Sequence, residues 1–129
     1  MPWVEVFAVF IVCHLAGDYL LQTDWQAAHK RGGLSGPPES RRALFMHVTS
    51  YTIAFVPALV WLASDIGWWV VGVAALIFVP HLIQDDGRLL SAYLRRVKHT
   101  DVRPGDLVYV GVDQSLHVLA LFGLALIVG

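Results

Sequence analysis

Four apolar runs, at about residues 3–22, 43–63, 66–85 and 107–128, take up most of this 129-residue chain. About 20 apolar residues are needed to cross about 30 Å of hydrocarbon as a helix, and each run is near that length. Inside lipid the backbone must satisfy its own hydrogen bonds, so the runs are expected to be helices. The expected fold is therefore all-α: one integral membrane domain, residues 1–129, built as a bundle of four transmembrane helices. Composition agrees, with 57% hydrophobic and only 15% charged residues. A soluble domain usually carries about 25% charged residues, so that class is excluded here. A formal net charge of −1 argues against a nucleic-acid partner. The lone Cys13 leaves no intramolecular disulfide to form.

The connections carry the orientation. Run 3–22 lacks a basic leader and a small-residue cleavage site, and it contains Glu5, His14 and Asp18, so it is read as retained. Ser64–Gly67 is a tight turn joining the second and third runs as a hairpin. All nine Lys and Arg residues lie in 23–42 or in 88–103. The positive-inside rule then makes loops 23–42 and 86–106 cytoplasmic, with both termini outside an inner membrane. Trp3, Trp61, Trp68 and Trp69 fall toward the opposite face as an aromatic belt. Between the third and fourth runs, residues 88–98 place Leu90, Tyr93, Leu94 and Val97 on one stripe among Arg88, Arg95, Arg96 and Lys98. That pattern is expected to form a basic amphipathic helix at the interface.

Ionisable residues sit inside these runs, and they are costly there. His14 and Asp18, His81 and Asp85, and Asp113 and His117 form three pairs at i,i+4, and His47 stands apart. The spacing puts each pair on one helical face. With helices alternating in direction, all seven residues fall in the cytoplasmic half of the bilayer. An ionised Asp at mid-helix costs about 2.5–3.5 kcal/mol to insert, so these carboxylates need partners. Neutral imidazoles and carboxylates together suit a divalent cation. Mixed N/O ligation without thiolate points to Zn, Fe or Mn, as one ion or as two bridged by carboxylate. The expected ligands are His14, Asp18, His47, His81, Asp85, Asp113 and His117. Asp18, Asp85 and Asp113 are the candidate catalytic carboxylates, whichever of them is free of metal acting as general base. Gln22, Gln114 and Arg88 are the candidate substrate contacts.

Several other residues are read as structural. His29 and His99 are expected to be solvated, as is Asp86, and Asp24 is read as the cap of a short helix reaching Lys30. Pro80 is expected to kink the third run toward the site, whereas Pro57 carries no such expectation.

The string His14-Leu-Ala-Gly-Asp18-Tyr-Leu-Leu-Gln22-Thr-Asp24-Trp25, followed by Lys30, resembles a small bacterial family of four-helix integral membrane proteins of unknown function. The resemblance continues through His47, His81 with Asp85, and Asp113-Gln114 with His117. Tyr19 stands where that pattern has Phe. The layout is also similar to inner-membrane metal-dependent hydrolases, which place His and Asp on short membrane helices.

The function expected from all this is a membrane-embedded metal-dependent hydrolase opening to the cytoplasmic leaflet. Its partners would be membrane lipid, with an anionic lipid or phosphoester substrate, and a homo-oligomer or larger membrane complex. The alternatives are a metal carrier, sensor or transporter subunit, and a structural subunit held by a His/Asp hydrogen-bond network.

Overall fold

The computed structural model describes residues 2–129, and among them there is no strand. Helix α1 (Trp3–Leu15) runs into a single π-helical turn at Ala16–Leu20. Short α2 (Asp24–His29) follows, then α3 (Pro38–Ala54) and α4 (Val56–Ile66). A 3-10 turn at Gly67–Trp69 leads into α5 (Val70–Asp86), α6 (Arg88–Arg96) and α7 (Leu107–Val128).

Local chemistry accounts for most of these boundaries. Thr23, not Asp24, caps α2: its hydroxyl accepts from Gln26 N–H while the Gln26 side chain accepts from Thr23 N–H. This reciprocal box satisfies two of the donors that a helix start leaves unpaired. Pro38 opens α3, where a missing N–H costs nothing. Gly87, at φ 80°, takes the left-handed conformation that ends α5 and lets α6 leave in a new direction.

Among the described residues three helical stretches are long and apolar enough to cross a membrane: Trp3–Leu20, Val56–Asp86 and Leu107–Val128. Only 17% to 33% of their residues are buried within the protein, so most of their apolar surface faces outward. That combination marks a membrane protein. The expected single span at 43–63 is not formed as one apolar helix. α3 ends at Ala54 and α4 starts at Val56, with Phe55 N–H bonding back to Thr52 at 3.0 Å. Pro57 explains the break, because it has no N–H to offer Ile53 and its ring crowds that carbonyl. The first half of α3 also carries Glu39, Arg41 and Arg42, which removes it from any apolar window. Within Val56–Asp86 the chain is interrupted at Gly67 (φ 57°, ψ −133°), and α4 packs back on α5.

α1 packs on α7, α7 on α5, and α5 on α3, which closes a ring of helices. One face of each contributes a layer of apolar side chains: Phe10, Phe55, Ile77 and Leu121 are all buried in one core. Four residues along the same faces lie His14, Tyr51, His81 and His117, also buried. The i,i+4 repeat thus stacks a polar layer directly on an apolar one. A smaller core joins Leu90 and Leu94 of α6 to Tyr109 of α7. Tyr93 and Val97, expected on the same stripe, are exposed instead.

Candidate metal centre

Each element brings a different part of the site. α1 supplies His14 and the π turn supplies Asp18. α3 brings His47 and Tyr51, α5 brings His81 and Asp85, and α7 brings Gln114 and His117. All six of the His and Asp residues named here are at most 5% exposed.

His47 sits at the centre. Its Nε2 is 3.0 Å from His81 Nε2, 3.1 Å from Asp18 Oδ1 and 2.7 Å from Asp85 Oδ2. His81 Nε2 is in turn 2.9 Å from Asp85 Oδ2 and 3.4 Å from Asp18 Oδ1. Two nitrogens and two carboxylate oxygens therefore converge on one point. Ligands held at about 2.0–2.1 Å around a tetrahedral ion stand roughly 3.3 Å apart, close to these separations. Asp18, His47, His81 and Asp85 can hold a metal ion, and so can a second group of Asp85, Asp113 and His117. His47 Nδ1 and His81 Nδ1 are buried without a hydrogen-bond partner among the described residues. The His81 ring is held by stacking on Tyr51, with centroids 3.5 Å apart and planes 7° from parallel.

The within-helix pairs are largely re-partnered across helices. His14 Nε2 lies 3.9 Å from Asp18 Oδ2, too far for a hydrogen bond. Asp18 lies within the π turn and reaches His47 of α3. His14 meets neither ligand group: its Nδ1 contacts Tyr51 Oη at 2.9 Å and its Nε2 contacts Gln114 Oε1 at 2.7 Å. The Gln114 amide then donates to Asp18 Oδ2 at 2.9 Å, so His14 acts on Asp18 through Gln114. His117 pairs with Asp85 Oδ1 at 3.1 Å rather than with the Asp113 carboxylate, which is 3.6 Å away. Only His81 and Asp85 keep a close contact within one helix.

The loop between the π turn and α3 closes over this layer. Lys30 Nζ donates to Asp85 Oδ2 at 3.0 Å and to Gln22 Oε1 at 2.7 Å, while Gln22 also donates to the Asp18 carbonyl. Residues 31–35 are strapped to the α5–α6 junction. Gly32 N–H donates to the Asp86 carbonyl at 2.8 Å and Leu34 N–H to Asp86 Oδ1 at 3.0 Å. Arg88, instead of being free for a substrate, bonds Asp86 at 2.6 Å and Ser35 at 2.5 Å. Arg31 donates to the Tyr109 hydroxyl and lies over its ring, 4.6 Å from the centroid. Burial lowers the Arg31 guanidinium pKa, against the pull of the nearby Asp113 and Asp85 carboxylates.

Asp86 is accordingly not solvated but 3% exposed, because the returning loop covers it and both Leu34 N–H and the Arg88 side chain donate to it. Sequence reasoning also passed over Lys30 and Tyr51 as site residues. For Tyr51 a signal existed, since His47 and Tyr51 repeat the i,i+4 spacing of the other polar pairs. For Lys30 the signals are its place at the end of the motif that begins at His14 and its position beside Gly32-Gly33, where the chain can turn back. His29 bonds the Trp25 carbonyl and faces Glu39 at a partly exposed position, away from the centre.

A family described as "Protein of unknown function (DUF3307)" matches residues 6–128. No curated protein and no solved structure matches the chain.

Proposed function

The chain belongs to this family of unknown function, and from the chemistry of its buried centre we propose that it is a metal-dependent membrane enzyme acting hydrolytically on an anionic lipid or phosphoester. One observation carries this reading: two imidazole Nε2 atoms 3.0 Å apart face the same two carboxylate oxygens inside an apolar bundle. Two Asp beside a single Lys leave the cluster short of positive charge. A divalent cation supplies it and accepts the imidazole lone pairs at the same time.

In this reading Asp18, His47, His81 and Asp85 are the ligands, and the N/O donor set favours Zn, Fe or Mn. Bound there, such an ion polarises an acyl or phosphoryl oxygen and acidifies water. His14 and Gln114 orient Asp18, an arrangement typical of groups that hold a ligating carboxylate in place. Asp113 is the least buried of the carboxylates, at 20% side-chain exposure. It lines a cavity of about 270 Å³ with Gln84, Leu89 and Tyr93. That cavity is the approach we assign to substrate, with Asp113 placed as general base.

The same reading sets the topology. α3 with α4 forms one broken crossing antiparallel to α5, which makes four crossings in all. The basic loops 23–42 and 86–106 lie on the cytoplasmic side of an inner membrane, and both termini lie outside.

A second reading has one observation in its favour. Lys30 already donates to Asp85 Oδ2, as it would in a network that serves only to fix the packing. Metal analysis separates the two. Protein purified in detergent and loaded with Zn²⁺, Mn²⁺ or Fe²⁺ is expected to retain stoichiometric metal after desalting, measured by X-ray fluorescence. His81→Ala is expected to lose it while still eluting as a folded species. Substoichiometric retention of all three metals by the unaltered protein would leave the network reading standing.

A further inference from the structure

We infer that Asp85 bridges two metal positions, and that Asp85 Oδ1, His117 Nε2 and Asp113 form the second half of a dinuclear centre. The inference rests on the metal-binding reading above and adds a second ion to it.

The two oxygens of Asp85 face different ligand sets. Oδ2 meets His47 at 2.7 Å, His81 at 2.9 Å and Lys30 at 3.0 Å. Among the described residues Oδ1 meets only His117, at 3.1 Å. A carboxylate placed this way is the usual bridge between two ions about 3.5–4 Å apart.

Hydrogen-bond bookkeeping at His117 then requires a positive centre on the Oδ1 side. His117 Nδ1 is 2.6 Å from the Asp113 carbonyl. A carbonyl only accepts, so Nδ1 carries the proton. A neutral imidazole has one N–H, and His117 has spent it. In a neutral ring Nε2 therefore presents a bare lone pair to Asp85 Oδ1, which is itself an acceptor. Two lone pairs at 3.1 Å, on side chains each 1% exposed, repel unless a cation or an extra proton lies between them. An imidazole that gives its far N–H to a backbone carbonyl is in the posture of a metal ligand.

Asp113, the general base of a one-ion site, becomes the third ligand of the second ion. Asp113 accepts no side-chain hydrogen bond from the described residues, and ligand atoms of Asp85, Asp113 and His117 all lie within 4.8 Å of one another. Opposite ligands on a six-coordinate ion at about 2.1 Å stand about 4.2 Å apart, so small side-chain adjustments close the site. Because Asp113 also lines the 270 Å³ cavity, the second ion is the one an entering substrate meets.

The test uses the full chain in detergent, stripped with chelator and titrated with Zn²⁺ by equilibrium dialysis and with Mn²⁺ by electron paramagnetic resonance. The expected result is two Zn²⁺ per chain. The Mn²⁺ signal should grow as an isolated ion at the first equivalent and then broaden at the second, as a bridge couples the spins. His117→Ala and the milder Asp113→Asn, at a partly exposed position, are each expected to bind one ion and to keep the isolated-ion spectrum. Saturation of the unaltered protein at one ion would overturn the dinuclear centre, with the single proton on His117 as the remaining explanation, and would leave the first site intact. Two ions retained by both variants would also overturn it. No binding of either metal would overturn the metal reading itself.

Discussion

Gly17→Ala should damage the centre although Gly17 contributes no polar atom to it. A Cβ at this position would lie 2.7 Å from Tyr51 Cδ2 and 3.1 Å from Tyr51 Cα. Carbon atoms in good contact stand about 3.5–4.0 Å apart, so the π turn would have to retreat from α3 by roughly 0.5–1 Å. Tyr51 cannot yield in its place. Its ring is stacked on His81 at 3.5 Å, and its hydroxyl is engaged with His14 at 2.9 Å. Overpacking of this kind typically costs about 1–3 kcal/mol. The displaced segment includes Asp18, the next residue, whose contacts with His47 and Gln114 at 3.1 and 2.9 Å would lengthen together. We therefore expect a lower unfolding midpoint in mixed micelles, followed by tryptophan fluorescence, and weaker Zn²⁺ binding. Gly72→Ala is the control, since nothing lies within 4 Å of a Cβ there. If the two variants unfold at the same midpoint and bind Zn²⁺ equally, the close approach of the π turn to α3 does not set the site.

Two further outcomes follow from the loop that closes the centre. Lys30→Gln removes an ammonium 3.0 Å from Asp85 Oδ2 and should raise divalent-metal affinity by about tenfold or more, about 1.4 kcal/mol, by titration calorimetry; unchanged or weaker affinity would show that Lys30 does not compete with the ion. Asp86→Ala strips the acceptor from Leu34 N–H and Arg88, at a cost of about 1–3 kcal/mol to the docked loop. Trypsin should then cut after Lys30 and Arg31 faster than in the unaltered protein, and equal rates would place the hold on the loop elsewhere.

What was legible in the sequence, and what was not, divides along the range of the forces involved. Helicity and membrane character are local sums over apolar residues, so they can be read from the runs themselves. Period likewise shows that His81 and Asp85 share a face, and they touch at 2.9 Å. Period does not say which neighbouring helix that face meets. Asp18 leaves His14 for His47, and His117 meets Asp85 across 32 positions, because helix rotation and the ring of packing decide those contacts. The break at Phe55 was visible in principle as Pro57, whose missing N–H is a local fact. The burial of Asp86 was not, since it depends on residues 32–34 returning from 52 positions away.

The π turn at Ala16–Leu20 has a consequence for what changes of length the chain tolerates. A π turn holds one residue more than the α turn it replaces. Deleting one residue at its end, such as Leu20, would let the segment relax to an α turn with the helix before it still in phase. The same loss higher up, at Val12, would rotate everything before it by about 100°. Phe10 would then swing out of its core. Point substitutions on the lipid-facing side of α1 leave that phase untouched. The first helix is thus forgiving of which residues it carries and unforgiving of how many, except at this one turn.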